Sequence, residues 1–471
     1  MNHVLFVAYY FPPIAASGAM RPLGFCRHLE AYGWHPTVLT TTPQSVYPPH
    51  PIDDQLEAHV PAGVRVEHVG YRDSLSRLID LRERVRRLVS VRRVGRNGQG
   101  AMVSSTRPSG GVPPHQSRSP LKDAVLDWLF AFPDRQASWI APAVARILSI
   151  KTDVQADVVV ATGGPWTNFV VGQTLARRLR CPLILDYRDP WTCNPYYSFT
   201  AGFLTEKARR LERSICKTAS CVVANTEELR QRLCAEYPEI EPKCIAIPNG
   251  FDPEILGTGT SHADDATVPD QRRSGYELCH FGTVYGKRTP GKLFQAASEL
   301  YREGLVNPER LRLRFVGAWE STDEACNNLA QDLEKQGLLK REPPMSHNLC
   351  MKEMKQASVL LVVQPESPLQ VPGKIYEYIA VGRPLLLVGG EGATAGLVER
   401  HNLGVTCSND VDELKKTLRA LIAGSIRLSP PDRQAIDRFH YRRLTKSLAE
   451  ALSVAYRDAG AGNYGSQIAG R

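Results

Sequence analysis

The chain has 471 residues, 42% of them hydrophobic, and a net charge of +9 at pH 7, the composition of a globular protein too long for one hydrophobic core. No apolar run reaches about 18 residues and the N-terminus begins directly with a strand pattern, which argues against a transmembrane helix and a signal peptide. The 11 Cys are scattered without a C-x-x-C pair, which favours a reduced, cytoplasmic protein and argues against the common zinc motifs.

The predicted elements alternate between strands and helices along the chain. Apolar runs predict strands at residues 4–8, 36–41, 64–69, 157–161, 182–187 and 221–224. Helical periodicity is found at residues 19–32, 122–132, 137–150, 167–179, 203–218 and 227–236. A second alternation runs from residue 278 to about 425, and a long helix is predicted at residues 431–456. Continuous apolar strands separated by helices predict an α/β protein with parallel sheets covered on both faces.

Most of the positive charge lies in one insert within the first alternation. Residues 82–120 contain nine Arg, one Glu and no Lys or Asp, a charge of +8 out of +9, so the rest of the chain is near neutral. This distribution disfavours a nucleic-acid-binding protein. Seven Arg alternate with Leu and Val in residues 82–96, as in a basic amphipathic helix that contacts an anionic membrane. A solvated, disordered loop fits the insert equally well.

These patterns divide the chain into two doubly wound domains. We predict an N-terminal Rossmann-like domain at residues 1–245, carrying the insert at about 82–120, and a C-terminal one at residues 246–430. A C-terminal helix at residues 431–458 and a flexible tail at 459–471 follow. Ligands of doubly wound sheets bind at the carboxyl ends of the strands, so a cleft between the two sheets is the expected active site.

The segment VPGKIYEYIAVGRP at residues 371–384 is the most informative in the chain. It places Lys374 at the start of a short helix, Glu377 one turn later, and the predicted helix end at Gly382. A helix N-terminus has unpaired N–H groups and a partial positive charge that hold phosphate. A carboxylate one turn in can accept hydrogen bonds from sugar hydroxyls. The segment predicts a nucleotide-sugar pocket, although an ordinary helix with an exposed Lys–Glu pair fits these residues too.

Five motifs in this order resemble those of bacterial glycosyltransferases of the family 4, group 1 type. They are VAYYFPP with GAMR within residues 7–21, LDYRDPW at 185–191, IPNGFD at 247–252, HFGTVYGKR at 280–288 and VPGKIYEY at 371–378. The resemblance covers roughly residues 1–50 and 155–425. It implies the GT-B architecture, two Rossmann-like domains facing across a cleft. It also implies transfer of a sugar from a nucleotide diphosphate to a glycan or lipid-linked acceptor, with retention, in cell-surface polysaccharide biosynthesis.

On the donor side, the resemblance assigns a basic residue to the donor diphosphate and a carboxylate to the nucleotide ribose. A diphosphate leaving group needs positive charge because negative charge builds on it as the glycosidic bond breaks. The alternative for the first basic residue is a surface ion pair with a carboxylate. The donor-side candidates are Gly282, which lets the backbone pass under the donor, Lys287 and Arg288, Lys374 as a second cation, and Glu377 for the ribose.

On the acceptor side, glycines and charged residues follow the strands of the first half. A carboxylate at such a strand end can accept or orient the proton of the acceptor hydroxyl, and Asp189 is the candidate catalytic residue. The alternatives are structural: ordinary strand–helix connections for the glycines, and a turn before Pro190 with an Asp189–Arg188 pair. The other candidates for the acceptor or phosphate loops are Gly18, Arg21, Gly163, Asp186 and Arg188.

The chain departs from the family pattern at two places. Ser17-Gly18 stands where relatives have two glycines, and Leu369 stands where many have a Glu that contacts the donor sugar. No residue is therefore assigned to that sugar. Asp410 and Asp412 stand at the start of a helical run, where they predict a helix cap and not a metal site. Neither a metal nor another cofactor is expected. A catalytically silent GT-B binding or assembly protein, and an epimerase or phosphorylase-like enzyme on the same fold, remain as alternatives.

Overall fold

The computed structural model describes residues 1–46, 48–72, 132–194, 202–257, 275–286, 288–365 and 367–468, with side chains up to residue 460. The predicted insert at residues 82–120, all but the last residue of the predicted helix at 122–132, and the candidate Lys287 lie outside the described residues.

The N-terminal part of the chain forms a seven-stranded parallel sheet. Its strands are β1 (Asn2–Val7), β2 (Trp34–Thr41), β3 (Arg65–Val69), β4 (Val158–Thr162), β5 (Leu183–Tyr187), β6 (Cys221–Ala224) and β7 (Cys244–Ala246). The helices between them are α1 (Ser17–His28), α2 (Asp54–Glu57), α3 (Ile140–Ser149), α4 (Thr167–Leu179), α5 (Gly202–Thr218) and α6 (Glu227–Glu236). The strand order is β3-β2-β1-β4-β5-β6-β7, so the winding direction switches between β1 and β4.

The second sheet has six parallel strands, and a separate pair is formed by two short strands. The strands are β8 (Tyr276–Phe281), β9 (Val284–Tyr285), β10 (Leu311–Val316), β11 (Trp319–Glu320), β12 (Leu339–Glu342), β13 (Val359–Gln364), β14 (Leu385–Gly389) and β15 (Gly404–Cys407). The helices are α7 (Gly291–Arg302), α8 (Glu324–Lys335), α9 (His347–Gln356), α10 (Lys374–Val381), α11 (Ala393–Arg400) and α12 (Val411–Ile422). The order β12-β10-β8-β13-β14-β15 places its switch point between β8 and β13.

Alternating strand residues pack into separate cores on the two faces of the first sheet. Leu5 and Val7 of β1 belong to one buried cluster, and Val4 and Phe6 belong to another. Every residue of β4 and β5 is buried, as predicted for parallel strands covered by helices on both sides. The structure is therefore α/β with two Rossmann-like sheets, as the sequence predicted.

The predicted single helix at residues 431–456 is two helices in the structure. These are α13 (Arg433–Asp437) and α14 (Tyr441–Ile468), which extends into the segment where a flexible tail is predicted. The break occurs because His440 forms a parallel bridge with Phe251, whose N–H donates to the Phe439 carbonyl at 2.9 Å. Beyond this bridge, α14 returns to the first sheet, and residues such as Leu448 pack in the cluster of Val4 and Phe6. Among the described helices, none combines the length and the hydrophobicity that a membrane span requires.

Candidate functional site

A cleft of about 530 Å³ lies between the first and second parts of the chain. Its walls come from the loop into α1, from α2 and the linker after β7, and from the start of α9. Glu377 of α10 also lines it, so one predicted donor residue faces the N-terminal loop across the cleft. The lining residues that carry polar side chains are Ser17, Asp53, Gln55, His59, Ser346, His347, Asn348 and Glu377.

Arg21 is fully buried and forms an ion pair with Asp186. Their exposed fractions are 1% and 2%, and Nη2 of Arg21 lies 2.7 Å from a carboxylate oxygen of Asp186. The remaining N–H groups donate to the carbonyls of Ile247 and Pro248 and to Oδ1 of Asn249. All five guanidinium donors are thus used within the protein. In this conformation Arg21 has no donor left for a phosphate or an acceptor.

Three acceptor-side candidates, Gly18, Arg188 and Asp189, lie together near the carboxyl ends of β1, β4 and β5. Nη2 of Arg188 donates to the Gly164 carbonyl at 2.9 Å and lies 3.5 Å from Oδ2 of Asp189. A Cβ on Gly18 would lie 3.1 Å from Cζ of Arg188, so the glycine lets the loop approach this side chain closely. Nε of Arg188 is buried without a hydrogen-bond partner in the described part of the chain. The cluster therefore holds a cation, whose buried Nε donor is unused, beside a partly exposed carboxylate.

Gly163 has a packing role beside this cluster. A Cβ there would meet the rings of Trp166 and Phe169 at 2.6 Å, and its N–H donates to the Asp186 carbonyl at 2.7 Å. The nearby N-terminus of α4 is already occupied, because the Asp134 carboxylate accepts from the N–H of Thr167 at 2.8 Å. The pKa of Asp134 is raised because the carboxylate is buried, and the hydrogen bonds that the carboxylate accepts offset part of that rise. The helix start has no open place for a substrate anion here.

The donor-side segment forms a short helix with the predicted limits. α10 begins at Lys374 and ends at Gly382, whose φ of 72° is the left-handed conformation that favours glycine. Nζ of Lys374 lies 3.0 Å from Oε2 of Glu377, and the two side chains are 36% and 23% exposed. The pair is therefore partly exposed, with Glu377 lining the cleft, and its mutual interaction is worth only about 0–1 kcal/mol.

Gly282 lies next to His280, a residue that was not predicted from the sequence. Gly282 has φ of 153°, and a Cβ there would lie 3.5 Å from Nε2 of His280. Nδ1 of His280 lies 3.0 Å from the Leu361 carbonyl, which can only accept, so Nδ1 carries the proton. Burial lowers the pKa of His280 to about 4, and the charge of Lys374 acts in the same direction. The imidazole is therefore neutral at pH 7.

Arg288 makes no ion pair with a carboxylate in the described residues. Its Nη1 donates to the Tyr285 hydroxyl at 3.0 Å, and its guanidinium lies 5.4 Å from the centre of that ring. Tyr285 is exposed, so the stacked guanidinium is held at the surface of the loop that follows β8. The alternative drawn from the sequence, an ion pair between Arg288 and a surface carboxylate, is therefore not found among the described residues.

A loop of the second part of the chain contacts the acceptor side. Nε2 of Gln370 donates to Oδ1 of Asp189 at 3.0 Å, and the Thr226 hydroxyl donates to the Leu369 carbonyl at 3.0 Å. The Leu369 side chain packs against the core cluster of the first sheet. An ion pair of 2.7 Å between Arg400 and Glu228 joins α11 to α6 nearby. The candidate catalytic carboxylate is thus held by a residue four positions before Lys374.

Sequence reasoning missed Gln370, His280 and Tyr285. Each of them lies inside or directly beside one of the five motifs. Their position in the sequence next to a motif is the feature from which they could have been predicted. Asp410 caps α12, as predicted, by accepting from the N–H groups of Asp412 and Glu413. Within the described residues, no group of three or more His, Cys, Asp or Glu side chains is placed to hold a metal ion.

Two facing Rossmann-like sheets with candidate residues at their carboxyl ends define the GT-B class of folds. The family model for Glycosyltransferase Family 4 matches residues 107–255. The D-inositol 3-phosphate glycosyltransferase of Nocardiopsis dassonvillei is 26% identical over 255 residues, 51% of this chain and 58% of the relative. The same-named protein of Kineococcus radiotolerans is 23% identical over 203 residues, 42% of this chain and 46% of the relative.

The chain spans about half the length of the curated relatives it matches. The crystal structure of Anabaena HepE in complex with UDP and glucose has a TM-score of 0.57 and 16% identity, covering 96% of this chain and 100% of that chain. This likeness shows the GT-B fold. The family match and the two relatives show that the chain is similar to glycosyltransferases of the family 4, group 1 type, as the five motifs predicted.

Proposed function

We propose that the protein transfers a sugar from a nucleotide-diphosphate sugar to a glycan or lipid-linked acceptor, with retention, in cell-surface polysaccharide biosynthesis. One observation carries the proposal. The hydrogen bond from Gln370 to Asp189 brings the loop before the donor-side helix against the carboxylate at the end of β5. Glu377, seven residues after Gln370, lines the cleft between the two parts of the chain, which supports a site where a group passes between two bound substrates.

The donor roles follow from the charges that the structure leaves accessible. Arg288 is free of carboxylate partners in the described residues and can meet a diphosphate with its planar fork of donors. The exposed Lys374–Glu377 pair is weak enough for a diphosphate to take over Lys374. Glu377 is then left to accept hydrogen bonds from the ribose hydroxyls. Both cations stabilise the negative charge of the leaving diphosphate.

The acceptor is proposed to carry an anionic group. Nε of Arg188 has no partner in the described residues, and Asp189 lies beside it. A phosphate would pair with the charge of the Arg188 guanidinium and place a neighbouring hydroxyl near Asp189, which would orient that hydroxyl or accept its proton. The matched relatives are named for a phosphorylated substrate, D-inositol 3-phosphate, and a lipid-linked acceptor offers the same chemistry.

A catalytically silent binding protein is the second candidate. It is favoured by Leu369, which stands where many relatives have a sugar-contacting Glu and instead packs against the core of the first sheet. At this position the side chain of Leu369 makes an apolar contact that holds the two parts of the chain together. Such a protein would keep the fold without turning over a donor.

Thermal shift against UDP-, GDP-, ADP- and dTDP-sugars separates the two candidates. We expect the sugars of one nucleotide to raise the melting temperature. At a ligand concentration one hundred times Kd, binding adds about 2.7 kcal/mol to the free energy of unfolding. Lys374→Ala and Glu377→Ala are expected to lose most of this shift. Lys416→Ala is the matched control, because Lys416 forms an exposed i,i+3 pair with Glu413 on α12. The panel is run with EDTA, since we propose that no metal is needed.

If no nucleotide or nucleotide sugar shifts the wild-type protein at millimolar concentration, the transferase proposal fails in favour of the silent binding protein. Equal loss of the shift in Lys416→Ala would show a general effect of removing a lysine.

We also propose peripheral contact with an anionic membrane, on the sequence of residues 82–96 with its seven Arg. Each such residue near an anionic surface contributes about 1 kcal/mol to binding. The protein is expected to float with vesicles containing phosphatidylglycerol, less so as salt rises, and not with phosphatidylcholine vesicles. A variant with Gln in place of the seven Arg should stay unbound. Equal flotation of that variant would exclude this segment as the contact.

A further inference from the structure

Gln364 carries a buried amide group that nothing in the described chain satisfies. It is the last residue of β13 and is 4% exposed. Neither Oε1 nor Nε2 has a hydrogen-bond partner among the described residues. Buried side-chain polar groups in native proteins almost always have a partner, because an unmade hydrogen bond costs folding free energy. An unsatisfied amide is compatible with a ligand contact where the position of the residue in the fold also favours one.

The position of Gln364 in the fold is that of a ligand-binding residue. β13 lies beside β8, and the winding direction of the sheet switches between these two strands. Ligands of doubly wound sheets bind outside the carboxyl ends of the strands at this point. Gln364 ends β13, and His280 and Gly282 lie at the end of β8. The three residues therefore flank the switch point on its two sides.

The side chain of Gln364 lies on the face of the sheet that α10 covers. Successive side chains of a strand alternate between faces, which places Gln364 with Leu360 and Val362. These two residues pack in one cluster with Ile375, the residue after Lys374 at the start of α10. The unsatisfied amide is thus at the carboxyl edge, on the side of the donor-side helix.

The chemistry of the free amide fits a sugar hydroxyl. An amide offers two donors and an acceptor, and a hydroxyl both donates and accepts, so one hydroxyl or a vicinal pair satisfies both ends. A phosphate oxygen only accepts and would leave Oε1 unpaired. The position of the usual sugar-contacting Glu is filled by Leu369, which is turned to the core of the first sheet.

We propose that Gln364 binds a hydroxyl group of the transferred sugar. It would supply the polar contact to the sugar that Leu369, with its apolar side chain, cannot make. The inference rests on the proposed transferase function and deepens it, because it names a residue that recognises the sugar rather than the nucleotide. A site built to hydrogen-bond a hydroxyl discriminates strongly against a ligand that lacks it, since its own buried groups are then left unpaired.

The test uses Gln364→Met, which keeps the length of the side chain and removes both polar ends. Binding of UDP, GDP, ADP and dTDP and of their hexose conjugates is measured by calorimetry, beside a melting curve without ligand. We expect a melting temperature no lower than that of the wild type and unchanged affinity for the nucleoside diphosphate. Affinity for the hexose conjugate should fall about tenfold, the effect of one lost hydrogen bond.

Gln336→Met is the matched control. Oε1 of Gln336 is also buried without a partner among the described residues, but Gln336 directly follows α8 and precedes β12, at the amino-terminal edge of the sheet. It should leave both affinities unchanged.

The outcomes separate the two levels of the proposal. If Gln364→Met melts several degrees lower and binds the hexose conjugate as well as the wild type does, the amide is held by buried water and the inference is overturned. Retained affinity for the conjugate without a change in melting overturns it equally. Failure of every nucleotide to bind the wild type overturns the transferase proposal, and this inference with it.

Discussion

Replacing Arg21 by Met is expected to lower the free energy of unfolding by about 3–5 kcal/mol. The substitution leaves Asp186, which is 2% exposed, as a buried carboxylate without its counter-ion. It also removes the donors to the carbonyls of Ile247 and Pro248, through which α1 holds the linker after β7. Denaturant unfolding followed by fluorescence measures the loss. Most of the loss in stability comes from the buried, unpaired charge of Asp186, and less of it from the lost attraction between the two side chains.

Two further variants test that explanation. Arg21→Met combined with Asp186→Leu should recover much of the loss, since replacing both members of a buried pair by apolar residues is often close to neutral. Arg210→Met breaks an exposed pair with Glu206 and should change stability by less than about 1 kcal/mol. An Arg21→Met protein that keeps wild-type stability but no longer binds nucleotide would contradict the structural role and make Arg21 a ligand residue.

The pairing of Arg21 with Asp186 shows where reasoning from the sequence ends. Both residues were singled out, Asp186 at the end of a predicted strand and Arg21 at the end of the loop that follows the first strand. They are 165 positions apart, and nothing local indicates that they satisfy each other. The strands themselves were predictable, because their burial on both faces is visible as continuous apolar runs. Side-chain pairing between strand ends depends on the completed sheet.

Contacts between the two parts of the chain were the least predictable. Gln370 has no local feature that distinguishes it from a solvent-exposed loop residue, and its contact with Asp189 exists only because the two sheets face each other. The break between α13 and α14 has the same origin, since the bridge from His440 to Phe251 interrupts a segment whose own periodicity favours one helix. By contrast, the end of α10 at Gly382 follows from a local preference of glycine and was predicted.

Replacing Arg288 by Ala is expected to lower kcat of the proposed transfer by about 10²–10³-fold, or about 2.7–4 kcal/mol. Arg288 stands on the loop after β8, stacked on the exposed Tyr285, and no carboxylate of the described chain neutralises it. Its charge therefore acts on the leaving diphosphate, where negative charge grows most in the transition state. The melting temperature should change little, because the side chain is not part of a core.

The remaining variants distinguish charge from geometry at this position. Arg288→Lys keeps the positive charge but loses the planar fork, so its kcat should lie between those of the wild type and Arg288→Ala. Release of nucleoside diphosphate, followed in a coupled assay, gives kcat and KM for each variant. Arg302→Ala, at the exposed end of α7, is the control and should behave as the wild type. If Arg288→Ala raised only KM, Arg288 would bind donor and transition state equally, and the stabilisation of the leaving group would have to come from Lys374.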